Sequence, residues 1–156
     1  MMMVALMAAG CVGTSATWSP GTHPDAVLSD GTRDTQWTAW VEDARALWSA
    51  PLMARGCEDP FRGADKQPVV LVPDVEWTEP TLTGLTLSSE IIVKGSVREM
   101  ALDHAYQTVI VHELGHALGL DHVGTLDDPE SVMHVTNNRF APSAKDIANV
   151  VALLGC

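Results

Sequence analysis

The sequence predicts an α+β domain in which a small sheet packs on two long helices, with a further helix at the C-terminal end. Three observations carry this. Short apolar runs of strand length lie between residues 68 and 93, two long segments repeat apolar residues at helical spacing, and a third such segment closes the chain behind its own capping box. A chain of 156 residues with 46% hydrophobic and 19% charged residues has the length and apolar content for one core.

Residues 1–10 are apolar, carry no charge and read as a signal peptide. Ala8-Ala9-Gly10-Cys11 resembles the lipobox of bacterial lipoproteins, in which Cys11 would carry a lipid anchor; an ordinary secretory signal is the alternative. The run is too short to span a bilayer. Residues 11–32, rich in Ser, Thr, Gly, Pro and Asp, read as a flexible linker, which leaves 33–156 as the single folded domain.

The first helix places Trp37, Trp40, Val41, Ala44, Leu47 and Trp48 on one face. Asp34 or Thr35 caps its start, and Pro51 ends or bends it. The tryptophans read as a packing stripe against the sheet. Val69–Val72, enclosed by Pro68 and Pro73, is a buried strand; 85–87 and 90–93 are two more. A second helix spans 103–119. A loop with Gly124, Asp127, Asp128 and Pro129 leads to Val132 and Met133. The last helix begins at Ser143, with Asp146 as the capping-box acid and Ile147, Val150, Val151 and Leu154 as its buried face.

Twenty acidic against nine basic residues give a net charge of −11, which argues against nucleic acid and anionic lipid surfaces as partners. Of three cysteines, Cys57 and Cys156 either pair in an oxidising compartment or stand as free thiols.

The second helix carries His112-Glu113-Leu114-Gly115-His116-Ala117-Leu118-Gly119-Leu120-Asp121-His122, with the spacing H-E-x-x-H-x-x-G-x-x-H. Five fixed positions arise by chance in only about one in a few million windows of equally frequent residues. His112 and His116, at i and i+4, project from one helical face, as two ligands of one metal must. Gly119 can take a positive φ, end the helix and bring His122 back from a new direction. Three imidazoles with an open fourth position are the ligand set of a catalytic zinc, with Zn–N near ~2.0–2.1 Å. Glu113 neighbours the first ligand but points elsewhere on the helix, placed to act as general base on water.

These residues resemble the metzincin zinc metallopeptidases, and within them the matrixins (peptidase family M10). Met133, eleven residues past His122 in Asp128-Pro129-Glu130-Ser131-Val132-Met133, is similar to the Met-turn, whose methionine forms an apolar floor beneath the metal. The segment from Pro142 to Gly155 is similar to the family's closing helix, and the likeness runs from about Tyr106 to Gly155. It implies a zincin-like, twisted mixed sheet with an antiparallel edge strand. It also implies a zinc endopeptidase with His112, His116 and His122 as metal ligands, Glu113 as the catalytic base, and Gly119 and Met133 as structural support. The implied partner is a protein or peptide substrate, lying extended along an edge strand expected at 90–93, with a pocket bounded by 134–142; the enzyme is expected to be monomeric and exported.

Val123 and His134 depart from the usual matrixin residues, and His134 reads as a loop or pocket-edge residue. No segment matches the structural zinc and calcium loop of animal matrixins, so one catalytic Zn2+ is expected and a structural calcium or second zinc stays open. Arg55-Gly56-Cys57-Glu58-Asp59-Pro60 resembles a cysteine switch only superficially, because it falls between the first helix and a strand. A zinc-stabilised cell-surface binding module and a hydrolase of cell-wall peptides are the competing functions.

Overall fold

A computed structural model describes residues 17–77, 82–96, 105–124, 126–135 and 139–156. The signal-peptide reading of 1–10 and the lipid anchor at Cys11 lie outside the described residues. The elements run β1 (His23–Leu28), α1 (Thr35–Ala54), β2 (Lys66–Val72), β3 (Gly84–Thr86), β4 (Ile91–Lys94), α2 (Ala105–Ala117) and α3 (Ala144–Leu154). The sheet order is β1-β2-β4-β3. β1, β2 and β4 run parallel, and β3 pairs antiparallel with β4, which makes the expected mixed sheet with an antiparallel edge strand.

Register aligns the inward positions of the strands in rows. Ala26, Val69, Ile91 and Thr86 form one row; Leu28, Leu71, Val93 and Gly84 form the next. Alternation of side chains along a strand puts these rows on one face. α1 covers that face at β1, α2 covers it at β3, and the two helices pack on each other. The tryptophan stripe is a packing stripe. Trp37 and Trp48 are buried, and each indole N–H finds a carbonyl: Trp37 Nε1 donates to Val69 at 2.9 Å and Trp48 Nε1 to Val111 at 2.9 Å. Asp34 is the cap of α1, accepting from Trp37 N at 2.8 Å.

Three expectations need correction. The linker assigned to 11–32 contains β1, and Trp18 just before it is buried, its Nε1 donating to Leu87 O at 3.0 Å. The inward positions there are Thr22, Pro24 and Ala26, too small and weakly apolar to register as a strand pattern. Pro24 is tolerated because β1 is an edge strand. Second, of the two readings of Pro51 the helix end falls: α1 runs about one turn past it to Ala54 before Gly56, at φ 91°, turns the chain. Third, the strand at 90–93 is interior, between β2 and β3; the antiparallel edge is β3.

Cys57 and Cys156 form a disulfide across 99 residues, which ties the chain end to the turn after α1. Loop-closure entropy over about 100 residues gives such a bond up to ~4.7 kcal/mol, and native ones typically contribute ~2–5 kcal/mol. Cys57→Ser/Cys156→Ser is expected to lose stability in that range, measured by chemical denaturation without reductant. A smaller loss than ~1 kcal/mol contradicts this tie.

Asp59 anchors the same turn. Ser49 Oγ donates to it at 2.7 Å, Phe61 N at 3.0 Å and Arg45 Nη1 at 3.0 Å. Burial pushes its pKa up, but these hydrogen bonds and the Arg45 charge outweigh burial and hold it below the usual aspartate value of 3.8. A folded pKa below the unfolded one gives stability that is full above about pH 4 and lost as pH falls through the folded value. The stability difference between the native chain and Asp59→Asn should therefore shrink as denaturation is measured from pH 6 down to pH 3; a gap independent of pH would contradict it.

Candidate active site

α2 ends where the motif requires. Gly119 has φ 97°, Leu120 N donates to Gly115 O at 3.0 Å and Gly119 N to His116 O at 2.9 Å, a Schellman closure with glycine in the left-handed position. Past that turn His122 returns to the two helical histidines. The three Nε2 atoms form a near-equilateral triangle with edges of 3.1, 3.1 and 3.2 Å. Among the described residues this is a cluster able to hold a metal ion.

Hydrogen bonding fixes the tautomers of two rings. His112 Nδ1 donates to Val132 O at 2.7 Å and His116 Nδ1 to Leu120 O at 2.8 Å. A carbonyl only accepts, so these Nδ1 atoms carry the protons and each Nε2 of a neutral ring presents a bare lone pair. Burial, then the neighbouring His116, pushes the His112 pKa down to about 3; burial and His116 lower that of His122 as well. Neutral imidazoles with converging lone pairs repel one another unless a cation lies between them. The donor set fits zinc: tetrahedral ligation at ~2.0–2.1 Å sets ligand nitrogens about 3.3–3.4 Å apart, close to the triangle observed.

The floor is built by three elements at once. Met133 is fully buried beneath the histidines' helix. A Cβ on Gly115 would collide with Met133 Sδ and stand 3.0 Å from Trp48 Cζ2, so only glycine at this motif position lets α2 settle on both. Gly115→Ala is expected to cost about 1–3 kcal/mol through overpacking, read as a lowered denaturation midpoint; unchanged stability would contradict the contact. Asp146, buried at the start of α3, accepts from Ser131 Oγ at 2.6 Å, Val132 N at 3.0 Å and Ser143 N at 2.9 Å. It thus joins its expected capping box to the turn whose Val132 carbonyl orients His112.

His134 is buried beside the same turn. Its Nδ1 meets Val123 O at 3.1 Å and its Nε2 meets Asp128 O at 2.5 Å, while Val123 N donates to Met133 O at 3.1 Å. It clamps the loop that follows His122 and takes no place in the histidine triangle. Glu113, completely buried, directs its carboxylate to β3, where Thr86 Oγ1 lies 2.6 Å from Glu113 Oε2.

The matrixin family model matches residues 16–155 of this sequence, nearly its whole length. The chain is a matrixin. A solved structure of similar fold is metalloproteinase-II from Bacteroides fragilis, with a TM-score of 0.51 and 13% identity. The match covers 88% of this matrixin and 54% of that protein's chain, so this chain spans about half the length of its structural relative. No curated protein matches the sequence.

The matrixin family is zinc-dependent, and all six site residues read from the sequence lie in one region of this fold. His112, His116 and His122 converge, Gly119 makes the turn, Met133 lies beneath and Glu113 stands between α2 and β3. Sequence reasoning missed Thr86, Gly115 and the second role of Asp146. Gly115 had a local signal, since a glycine inside a helical repeat marks close packing. Thr86 had none, because its partner lies 27 residues away.

Proposed function

We propose that this matrixin is an exported zinc endopeptidase that hydrolyses peptide bonds with Glu113 as general base. The observation that carries the reading is the triangle of three converging histidine Nε2 atoms with a fully buried carboxylate one residue from its first member. His112, His116 and His122 hold the ion. Zinc, when bound, supplies the Lewis acidity that activates water and polarises the scissile carbonyl. Glu113 accepts the proton of the attacking water as its oxygen bonds to the carbonyl carbon. It then delivers that proton to the amine nitrogen as the C–N bond breaks, so no covalent enzyme intermediate forms.

The substrate lies extended along β3, the last strand in the order of the described sheet, adding a strand to it, with backbone hydrogen bonds supplying affinity. β3 is the edge next to Glu113, which supports this placement over 90–93. Export is supported by the apolar start ending at Cys11 and by the disulfide, which suits an oxidising compartment; a lipid at Cys11 would anchor the enzyme to a membrane.

The test is digestion of an unbiased peptide library by the zinc-loaded protein, followed by mass spectrometry. Cleavage with a defined side-chain preference is the expected result. A zinc-loaded sample that cuts no peptide overturns the reading in favour of a binding module, and cleavage confined to peptidoglycan peptides would make it a cell-wall hydrolase.

A further inference from the structure

The edge strand touches the catalytic carboxylate directly, and nothing in the motif requires it to. Thr86 is 3% exposed and Glu113 0%. The Thr86 hydroxyl reaches across from β3 to α2, 2.6 Å from Glu113 Oε2 and 2.9 Å from the Glu113 carbonyl oxygen. Both oxygens accept, so its single proton bridges the carboxylate to its own backbone. Two residues earlier, on the same face of the strand, Gly84 lies against the other carboxylate oxygen. A Cβ there would stand 2.6 Å from Glu113 Oε1, 2.9 Å from its Cγ and 2.9 Å from Val109 Cγ1.

We propose that Thr86 is a positioning residue that holds the Glu113 carboxylate in its working orientation, and that Gly84 keeps open the space the carboxylate occupies. This rests on the peptidase reading above. A glutamate side chain has several torsions to fix, and fixing them before reaction removes that cost from the barrier. Thr86 supplies a donor with little freedom of its own, because a β-branched side chain on a strand is stiff at χ1. The hydroxyl also ties the carboxylate to the backbone of α2, so the base and the helix that carries His112 and His116 keep one geometry. β3 therefore acts on both sides. Its outer edge accepts the peptide, and its inward face sets the base that the peptide will meet. Of the side chains on that inward face only residues 84 and 86 can serve, since β3 is three residues long and Leu85 points the other way.

The experiment compares the native chain with Thr86→Val, Thr86→Ser and Gly84→Ala, all zinc-loaded, on one peptide cut by the native protein. Thr86→Val keeps the shape and removes the hydroxyl. Its kcat should fall about tenfold to a hundredfold, the worth of one hydrogen bond to a charged group, with KM within about twofold and zinc content unchanged. Thr86→Ser should recover most of kcat. Gly84→Ala should lower kcat in the same way, by displacing Oε1. A crystal structure of metal-free Thr86→Val should show the Glu113 carboxylate moved from its native position. A native-like kcat for Thr86→Val, a serine variant no better than valine, or a carboxylate unmoved in that crystal overturns the proposal. Should the native protein cut no peptide, the peptidase reading fails, and the crystal comparison alone decides whether Thr86 sets the carboxylate.

Discussion

Glu113→Gln lowers the rate of peptide cleavage by about 10²- to 10⁴-fold, the usual contribution of a general base, while the protein keeps its fold and its zinc. Glutamine has the same shape, and its amide oxygen can still accept the Thr86 hydroxyl 2.6 Å away in the native chain, so the pocket between α2 and β3 survives. What it cannot do is take a proton from water. Zinc retention separates this loss from damage to the metal site, because the three Nε2 atoms do not include Glu113. The checks are kcat/KM on a quenched peptide, zinc per chain by atomic emission, and the denaturation midpoint. A variant that cuts as fast as the native chain removes Glu113 from the mechanism. A variant without zinc would mean that the carboxylate is part of the metal site.

Loss of a ligand has the second large effect. His116→Ala leaves two imidazoles where a catalytic zinc wants three, so the expected zinc content is near zero and cleavage is lost to background. His116 is buried and held on both ring nitrogens, with Nδ1 on Leu120 O at 2.8 Å and Nε2 3.1 Å from each partner nitrogen. Chelation of the native protein should do the same reversibly, with cleavage restored by added zinc. It should also lower the melting temperature, since an ion that binds only the folded state stabilises by about 2.7 kcal/mol at a hundred times its dissociation constant. Cleavage that survives both the chelator and His116→Ala would place the chemistry elsewhere in the chain.

The candidate site was readable because its logic is local. His112 and His116 are one helical turn apart, and the Gly119 turn that returns His122 follows within three residues, so the sequence window contains the geometry. The capping box of α3 was readable for the same reason. The sheet was readable in kind and not in order. Val69–Val72 announces a buried strand by its apolar run, whereas β1 hides behind Thr22, Pro24 and Ala26. Which strand takes the edge is decided by pairing between distant segments, and here β4 inserts between β2 and β3 although β3 comes first in the chain. The support of the site is equally non-local. Thr86 meets Glu113 across 27 residues, and Asp146 reaches Ser131 across 15. Neither pair leaves a spacing that a window could detect. Gly115 stands between these cases: its place in the helix was plain, but its reason, Met133 on one side and Trp48 on the other, exists only once α1 and the Met-turn are packed.

His112, His116 and His122 together are expected to hold one zinc ion beside Glu113. Diffraction from zinc-loaded crystals at the zinc absorption edge tests it most directly. The expected result is an anomalous peak about 2.0–2.1 Å from all three Nε2 atoms, with the Glu113 carboxylate adjacent and outside the ligand shell. No peak within that triangle, or a peak that takes Glu113 as a ligand in place of one histidine, would contradict it.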